Sequence, residues 1–226
     1  MTTKAATTTA SRAEGNANGE RPHAATPSRL FDIAGVAVFA ALAAAASYRF
    51  IAHGDLSAPL VLAAVLAAWV ATDLFSGLVH WGFDSFGSIR TPILGRQFIQ
   101  PFREHHVDER AITRHGFAET NGASCLAALP AVGAAALVPV ASPAWAFGQA
   151  FLLFSALGVL ATNQCHKWAH SDPDRVPRLA RLAQRLRLVL RPEEHRRHHM
   201  RPFDTHYCTA SGWLNAPLNA LLKAWR

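Results

Sequence analysis

Imidazole side chains crowd the stretch RPEEHRRHHMRPFDTHYCTASGWLN, from Arg191 to Asn215, which sets His195, His198 and His199 within five positions and His206 seven further on. On a helix, His195 shares one face with His198 and His199, at i, i+3 and i+4. Three imidazoles at one spot repel each other when protonated. Neutral, they can share a cation, and imidazole suits zinc, iron, copper and nickel. The alternative is a basic surface run, HRRHH, solvated or touching phosphate. Three more clusters supply ligand candidates: His80; His105 and His106 with His115; and His166 with His170, an i, i+4 pair able to close on one metal from a single face. A lone histidine at a helix end is more often a satisfied polar residue, and that alternative weighs most on His80 and His115. The nine candidates exceed what one ion of about four to six ligands needs, and suit two. No HExxH motif is present, so a zincin protease is not supported.

Polar neighbours could support such a centre. Asp73, His80 and Asp84 fall at i, i+7 and i+11, one stripe if a helix continues through them. An ionisable group at membrane depth is costly and by default functional. Either carboxylate could orient an imidazole by accepting its second N–H. Asn163, three residues before His166, could hold a metal-bound water.

The elements that must position these side chains are apolar. Phe31–Phe50, Ala58–Val79, Ala123–Val140 and Ala144–Cys165 are four runs long enough to approach or cross a hydrocarbon layer of ~30 Å, the third weakened by Pro130. A soluble bundle of buried helices is the alternative. Lys4, Arg12, Arg21 and Arg29 precede the first run, and Arg90, Arg96, Arg103, Arg110 and Arg114 lie between the second and third. Segments 53–57 and 139–143 hold neither Lys nor Arg, so both termini and the middle loop are expected in the cytoplasm, with Arg49 discordant. Ten of the twelve histidines then share one membrane face, although none was used to choose it. The expected fold is all-α: a polytopic membrane helical bundle of about four transmembrane helices with a cytoplasmic histidine-rich cap. Residues 1–28 read as a disordered tail, without the apolar core of a secretory signal, and 29–226 as the membrane domain.

Half of the chain is apolar, 16% is charged, and the net charge is +7. Oiliness together with basicity favours anionic lipid over nucleic acid as the partner. Residues 175–190, RVPRLARLAQRLRLVL, read as a basic amphipathic helix in the headgroup plane, with Leu179, Leu182, Leu186 and Val189/Leu190 on one stripe and Trp213 and Trp225 as interfacial anchors. Cys125, Cys165 and Cys208 are odd in number and form no CxxC, which argues against a disulfide framework and fits a reducing compartment. No GxGxxG is present, so electrons for any redox step would come from another protein.

HWGFDSFGS at 80–88, FIQPFREHHVDERAITRHGFAETNG at 98–122, TNQCHKWAH at 162–170, and HRRHH with THYC and GWLN at 195–215 resemble the plasmanylethanolamine desaturase family, the Kua-type lipid desaturase domain. A plant chloroplast phosphatidylglycerol desaturase is similar to the same family. The resemblance runs from about residue 30 to the end. It implies a histidine-ligated diiron membrane enzyme using O2 and two electrons from a redox partner, cytochrome b5- or ferredoxin-like. Ether-lipid members introduce the vinyl ether of plasmalogens. The positions matching the family's motifs are His80, His105, His106, His115, His166, His170, His195, His198 and His199. Some ether-lipid members carry a histidine where Phe203 stands here, so His206 could substitute or lie close to the site. His115, within ITRHGFAETNG, resembles the ether-lipid branch. Arg103, Arg114, Arg196 and Arg197 are candidates to meet the lipid phosphate, with solvated surface as their alternative.

The expected function is formation of the vinyl ether from 1-alkyl (plasmanyl) phospholipids. Its rivals are an acyl-lipid desaturase or hydroxylase, acting for example on phosphatidylglycerol, and a non-catalytic metal transporter or sensor, which predicts ligands at mid-membrane depth. The expected location is integral to the membrane, the inner membrane in a bacterium.

Overall fold

The computed structural model describes residues 29–224; the leading tail and Trp225, read above as disordered and as an anchor, lie outside them. Four helices are long and apolar enough to cross a membrane: α1 (Arg29–His53), α2 (Ala58–Ser85), α5 (Phe117–Leu137) and α6 (Pro143–His170). Between α2 and α5 lie a π-helical turn (Gly95–Ile99), α3 (Gln100–His105) and α4 (Ala111–Arg114). After α6 come a 3-10 turn (Pro173–Arg175), α7 (Arg178–Arg185), α8 (Pro192–His198), an irregular segment and α9 (Asn215–Lys223). No strand occurs among the described residues.

The long helices run past the apolar runs that announced them. α2 continues beyond Val79 to Ser85, and α6 beyond Cys165 to His170, so the ligand candidates at both ends ride on helix rather than loop. Pro130 stands inside α5 without ending it. Neighbouring helices and local adjustment let a membrane helix tolerate the lost backbone bond.

Small residues set the helix contacts, as expected where lipid gives apolar side chains no reason to leave it. Phe39 and Ala43 of α1 meet Cys125, Ala128 and Val132 of α5 and Ala156 of α6. A methyl group on Gly122 would strike Asp32 of α1, and one on Gly158 would strike Thr72 of α2. Large apolar side chains instead face outward: Leu62, Leu66, Leu74 and Phe75 of α2 are exposed, the arrangement of a lipid-facing surface.

Arg49 has a backbone partner. Its guanidinium donates to the carbonyl of Val138 at 3.0 Å, a backbone group freed by the end of α5. That bond joins the ends of α1 and α5 beside their short turns. The opposite end of the bundle carries His80, His166 and His170, and the short helices cover it.

Residues 175–190 differ from the expected single helix. α7 has only eight residues. The chain then turns through Arg187, whose φ is 60°, and drives Leu190 inward to 0% exposure, where its N–H bonds the Ala210 carbonyl at 2.8 Å. Leu179, Leu182 and Leu186 do remain exposed among the arginines. The turn separates them from Leu190, which joins Cys165 and Ala169 in a buried cluster.

Candidate metal centre

Eight imidazoles and one carboxylate converge at the covered end of the bundle, in two groups whose ligand atoms lie within 4.8 Å of one another. His105, His166, His170, His195 and His199 make the first; His80, Asp84, His106 and His198 make the second. Helical spacing builds both. His166 and His170 are i, i+4 on α6, His195 and His199 are i, i+4 on α8 and its cap, and His80 and Asp84 are i, i+4 on α2. Consecutive residues are divided between the groups: His105 and His106 at the end of α3, His198 and His199 at the end of α8.

In the five-histidine group the Nε2 atoms face each other. His166 lies 2.8 Å from His105 and 2.7 Å from His195; His199 lies 2.8 Å from His105 and 3.0 Å from His195; His170 lies 3.1 Å from His105. A neutral imidazole has one N–H and one lone pair, so five converging nitrogens cannot satisfy one another as donors and acceptors. Burial pushes the pKa of His105 and His195 well below the usual histidine value, and that of His199 down to about 3, with neighbouring histidines acting the same way. Near neutral pH these rings therefore present lone pairs rather than charge. Donors bound at about 2.1 Å to one ion sit about 3 Å apart, which is the spacing found here.

The second group gives an independent test of fit. His80 donates from Nδ1 to the Tyr207 carbonyl at 3.0 Å, and His198 from Nδ1 to the Thr205 carbonyl at 2.8 Å. A carbonyl only accepts, so each ring proton sits on Nδ1 and each Nε2 carries a lone pair. Both Nε2 atoms are buried without a hydrogen-bond partner. They lie 3.5 Å and 3.6 Å from Oδ2 of Asp84, and His106 Nε2 lies 3.1 Å from the same oxygen. Lone pairs facing a carboxylate are repulsive unless a cation stands among them. This carbonyl-held tautomer is the usual support of a metal-binding histidine, and burial lowers the His198 pKa to about 4 against the opposing pull of the Thr205 carbonyl.

Asp73 has work other than orienting an imidazole. Its Oδ1 accepts the N–H groups of Ser211 (2.7 Å) and Gly212 (2.9 Å), and its Oδ2 that of Leu214 (3.0 Å). One turn along α2, Ser76 Oγ accepts from Thr209 N at 3.0 Å. This stripe fastens to α2 the segment that offers the Thr205 and Tyr207 carbonyls.

Other sequence candidates fall elsewhere. His115 is in neither group; its Nε2 lies 3.5 Å from Glu119 Oε1, at the foot of α5. His206 is also outside, with Nδ1 2.9 Å from Thr205 Oγ1. Asn163 donates to the Thr120 carbonyl at 2.8 Å. Arg103 bonds the carbonyls of Phe83, Phe86 and Gly87, closing the end of α2. Arg114 pairs with Asp108, Arg197 lies 3.5 Å from Glu194, and Arg196 is exposed. Sequence reasoning missed Glu109, whose Oε1 is 3.4 Å from His199 Nδ1, and the two backbone carbonyls, which no side-chain pattern could announce.

A cavity of about 210 Å³ opens against the first group and is lined there by His105 and His166. Phe98, Pro101, Phe102 and Ile112 give it an apolar wall, and Arg96, missed in the sequence, stands on its border.

A family model described as a lipid desaturase domain matches residues 69–226. The chain belongs to the lipid desaturase domain family. It is 45% identical over 190 residues to the plasmanylethanolamine desaturase of Myxococcus xanthus, covering 84% of this chain and 67% of that one. To plasmanylethanolamine desaturase 1 of Mus musculus it is 41% identical over 176 residues, 74% of this chain and 63% of the relative. To the chloroplastic fatty acid desaturase 4 of Arabidopsis thaliana it is 33% identical over 154 residues, 66% and 45% of the two. The chain thus spans about two thirds of the first two relatives' length and about half of the third's. No solved structure matches it. Membership of the lipid desaturase domain family places the chain among membrane oxidoreductases. The family match takes in all nine donors, from His80 to His199.

Proposed function

We propose that this protein is an O2-dependent desaturase that forms the vinyl ether of a plasmalogen from a 1-alkyl (plasmanyl) phospholipid, at two iron ions held by the two groups. The observation that carries this reading is the division of eight imidazoles and Asp84 into two abutting donor sets beside a cavity open to His105 and His166. Bound there, iron would supply the oxidising power that a C–H bond next to an ether oxygen demands and that acid–base side chains lack. Overall, two hydrogens leave C1 and C2 of the alkyl chain. With O2, two electrons and two protons, they end as two molecules of water.

The chain's own residues position and shield. His105, His166, His170, His195 and His199 would hold one ion; His80, Asp84, His106 and His198 would hold the other. Phe98, Phe102 and Ile112 would lodge the alkyl chain and exclude water beside His105 and His166. Tyr207 and Thr205 keep two rings in the metal-binding tautomer. Donor atoms at one end of the bundle, rather than at its middle, argue against a transport path. The distribution of Lys and Arg supports a cytoplasmic position for that end and both termini, at the inner membrane in a bacterium, where a cytochrome b5- or ferredoxin-like protein would deliver electrons.

The test is turnover by the purified, iron-loaded protein with a chemical or protein reductant. Presented with 1-alkyl-2-acyl and diacyl phospholipids together, it should produce acid-labile 1-alkenyl lipid. A double bond in the acyl chain with no vinyl ether would transfer the assignment to the acyl-lipid reading, which the chloroplast relative's name supports.

A further inference from the structure

One stripe of α2 carries polar groups away from the donors and into the span, and each meets backbone from a later part of the chain. His80 Nδ1 bonds the Tyr207 carbonyl, Ser76 Oγ accepts from Thr209 N, and Asp73 accepts from Ser211, Gly212 and Leu214. Lowest of all, Trp69 Nε1 donates to the Leu188 carbonyl at 3.0 Å. Irregular backbone thus follows α2 from His80 down to Trp69, about 16 Å along the helix axis. At the same levels α2 exposes Leu66, Val70, Leu74 and Phe75. Where α2 crosses a membrane, acyl chains therefore reach the depth of this backbone. Non-helical backbone survives there only if protein satisfies it, which accounts for a carboxylate and a hydroxyl inside a spanning helix.

The turn after α7 sits at the foot of this stripe. Trp69 and Trp213 bond its adjacent carbonyls, Leu188 and Arg187, and the Leu190 N–H bonds Ala210. Its inner side is thereby locked to protein. Its outer side is apolar: Leu182, Leu186, Leu188 and Trp213 are exposed. The level of Trp69 says what covers them, because Val70 beside it belongs to the lipid-facing surface. A helix resting in the headgroup plane, as the sequence periodicity suggests, would not end so far below His80. Arg185 and Arg187 are exposed among the leucines. Arginine at depth is tolerated by reaching toward phosphate and by drawing phosphate and water inward where the leaflet thins. Resting on α2 as a membrane span and on no particular reaction, we propose that residues 182–190 and 209–214 form a wedge set into the leaflet on the donor side. Its leucines lie among acyl chains, and Arg185 and Arg187 hold phospholipid phosphates drawn down beside it.

The test reads depth, so that it stands apart from turnover. The full-length protein is reconstituted in vesicles of phosphatidylcholine and phosphatidylglycerol and spin-labelled at one introduced cysteine at a time: Leu186→Cys, Leu188→Cys, and as references Leu66→Cys on α2 and Glu193→Cys on α8. The three native cysteines are buried and stay unlabelled. Collisions of the label with O2, which enters lipid, and with a water-soluble nickel chelate report where it lies. Leu186→Cys and Leu188→Cys should match Leu66→Cys, with nickel collisions lost and oxygen collisions kept, while Glu193→Cys should show the reverse. Nickel collisions at both wedge positions equal to those at Glu193→Cys would put the segment in water. Loss of both kinds of collision would mean that a second protein covers it. Either result overturns the proposal, and should Leu188→Cys fail to fold, Leu186→Cys decides. Arg187→Gly, which suits the φ of 60° at that position, keeps the turn while removing the side chain. Added to Leu186→Cys, it should shift the label deeper as phosphate and water withdraw; an unmoved label overturns the phosphate contact.

Discussion

Asp73, at 0% exposure inside α2, accepts two backbone N–H groups through a single oxygen, the nearer from Ser211 at 2.7 Å, across 138 residues of chain. With the third bond, to Leu214, this carboxylate holds the final segment whose carbonyls fix the rings of His80 and His198.

Replacing Asp73 by Ala should therefore strip metal from a site it never touches. Three backbone donors would lose their acceptor, and the buried one, Ser211 N–H, would cost about 1–3 kcal/mol if unrelieved. The expected result is a lower unfolding temperature and preferential loss of iron from the His80 group. Asp73→Asn, which keeps one acceptor oxygen, should recover part of both. Full iron content in Asp73→Ala, measured by elemental analysis, would contradict this account.

His166→Ala and His198→Ala should each lower iron content and abolish measurable turnover, since each removes a nitrogen from a closed donor set. Asp84→Asn preserves shape while deleting the charge that faces three imidazoles. It should weaken metal retention by at least about 10–100-fold, the range found when a partner that only supports a ligating histidine is changed. Equilibrium dialysis against a chelator would report it.

His115→Ala makes the opposite prediction. Its ring faces Glu119 outside both groups, so the variant should keep its full iron complement. Loss of iron on this substitution would return His115 to the ligand set that its motif implies.

Gly158→Val should destabilise the bundle without touching any donor. A side chain there meets Thr72 at the contact between α6 and α2, and forcing extra atoms into a close-fitting interface costs about 1–3 kcal/mol. A fall in thermal midpoint, with folded protein still binding iron, is the expected outcome.

Much of this was legible in the chain because membranes and metals both demand regular spacing. Four apolar runs announced four spans, and the i, i+4 pair His166/His170 announced a shared face. His80 was legible only in part, since a single histidine at a helix end is commonly a satisfied polar group. What changed its standing was Asp84 one turn away and the Tyr207 carbonyl, a backbone atom invisible to residue type. The depth of Asp73 suggests a ring to orient, because sequence reports that a buried carboxylate needs donors but not whose. The arginine-rich run misled through Arg187, whose positive φ breaks a periodicity that otherwise reads as continuous.

The fastening of residues 209–214 to α2 also dictates an order of assembly. The partners of Asp73 and Ser76 are separated from it by well over a hundred residues, and long loops close late and slowly. During synthesis the four spans can enter the bilayer while the last pieces of the donor cage are still unmade. A chain stopped near residue 200 should thus insert normally and remain in the membrane with every donor present, yet lack the Thr205 and Tyr207 carbonyls that set the rings of His198 and His80: a properly housed protein whose second donor group is left unsupported.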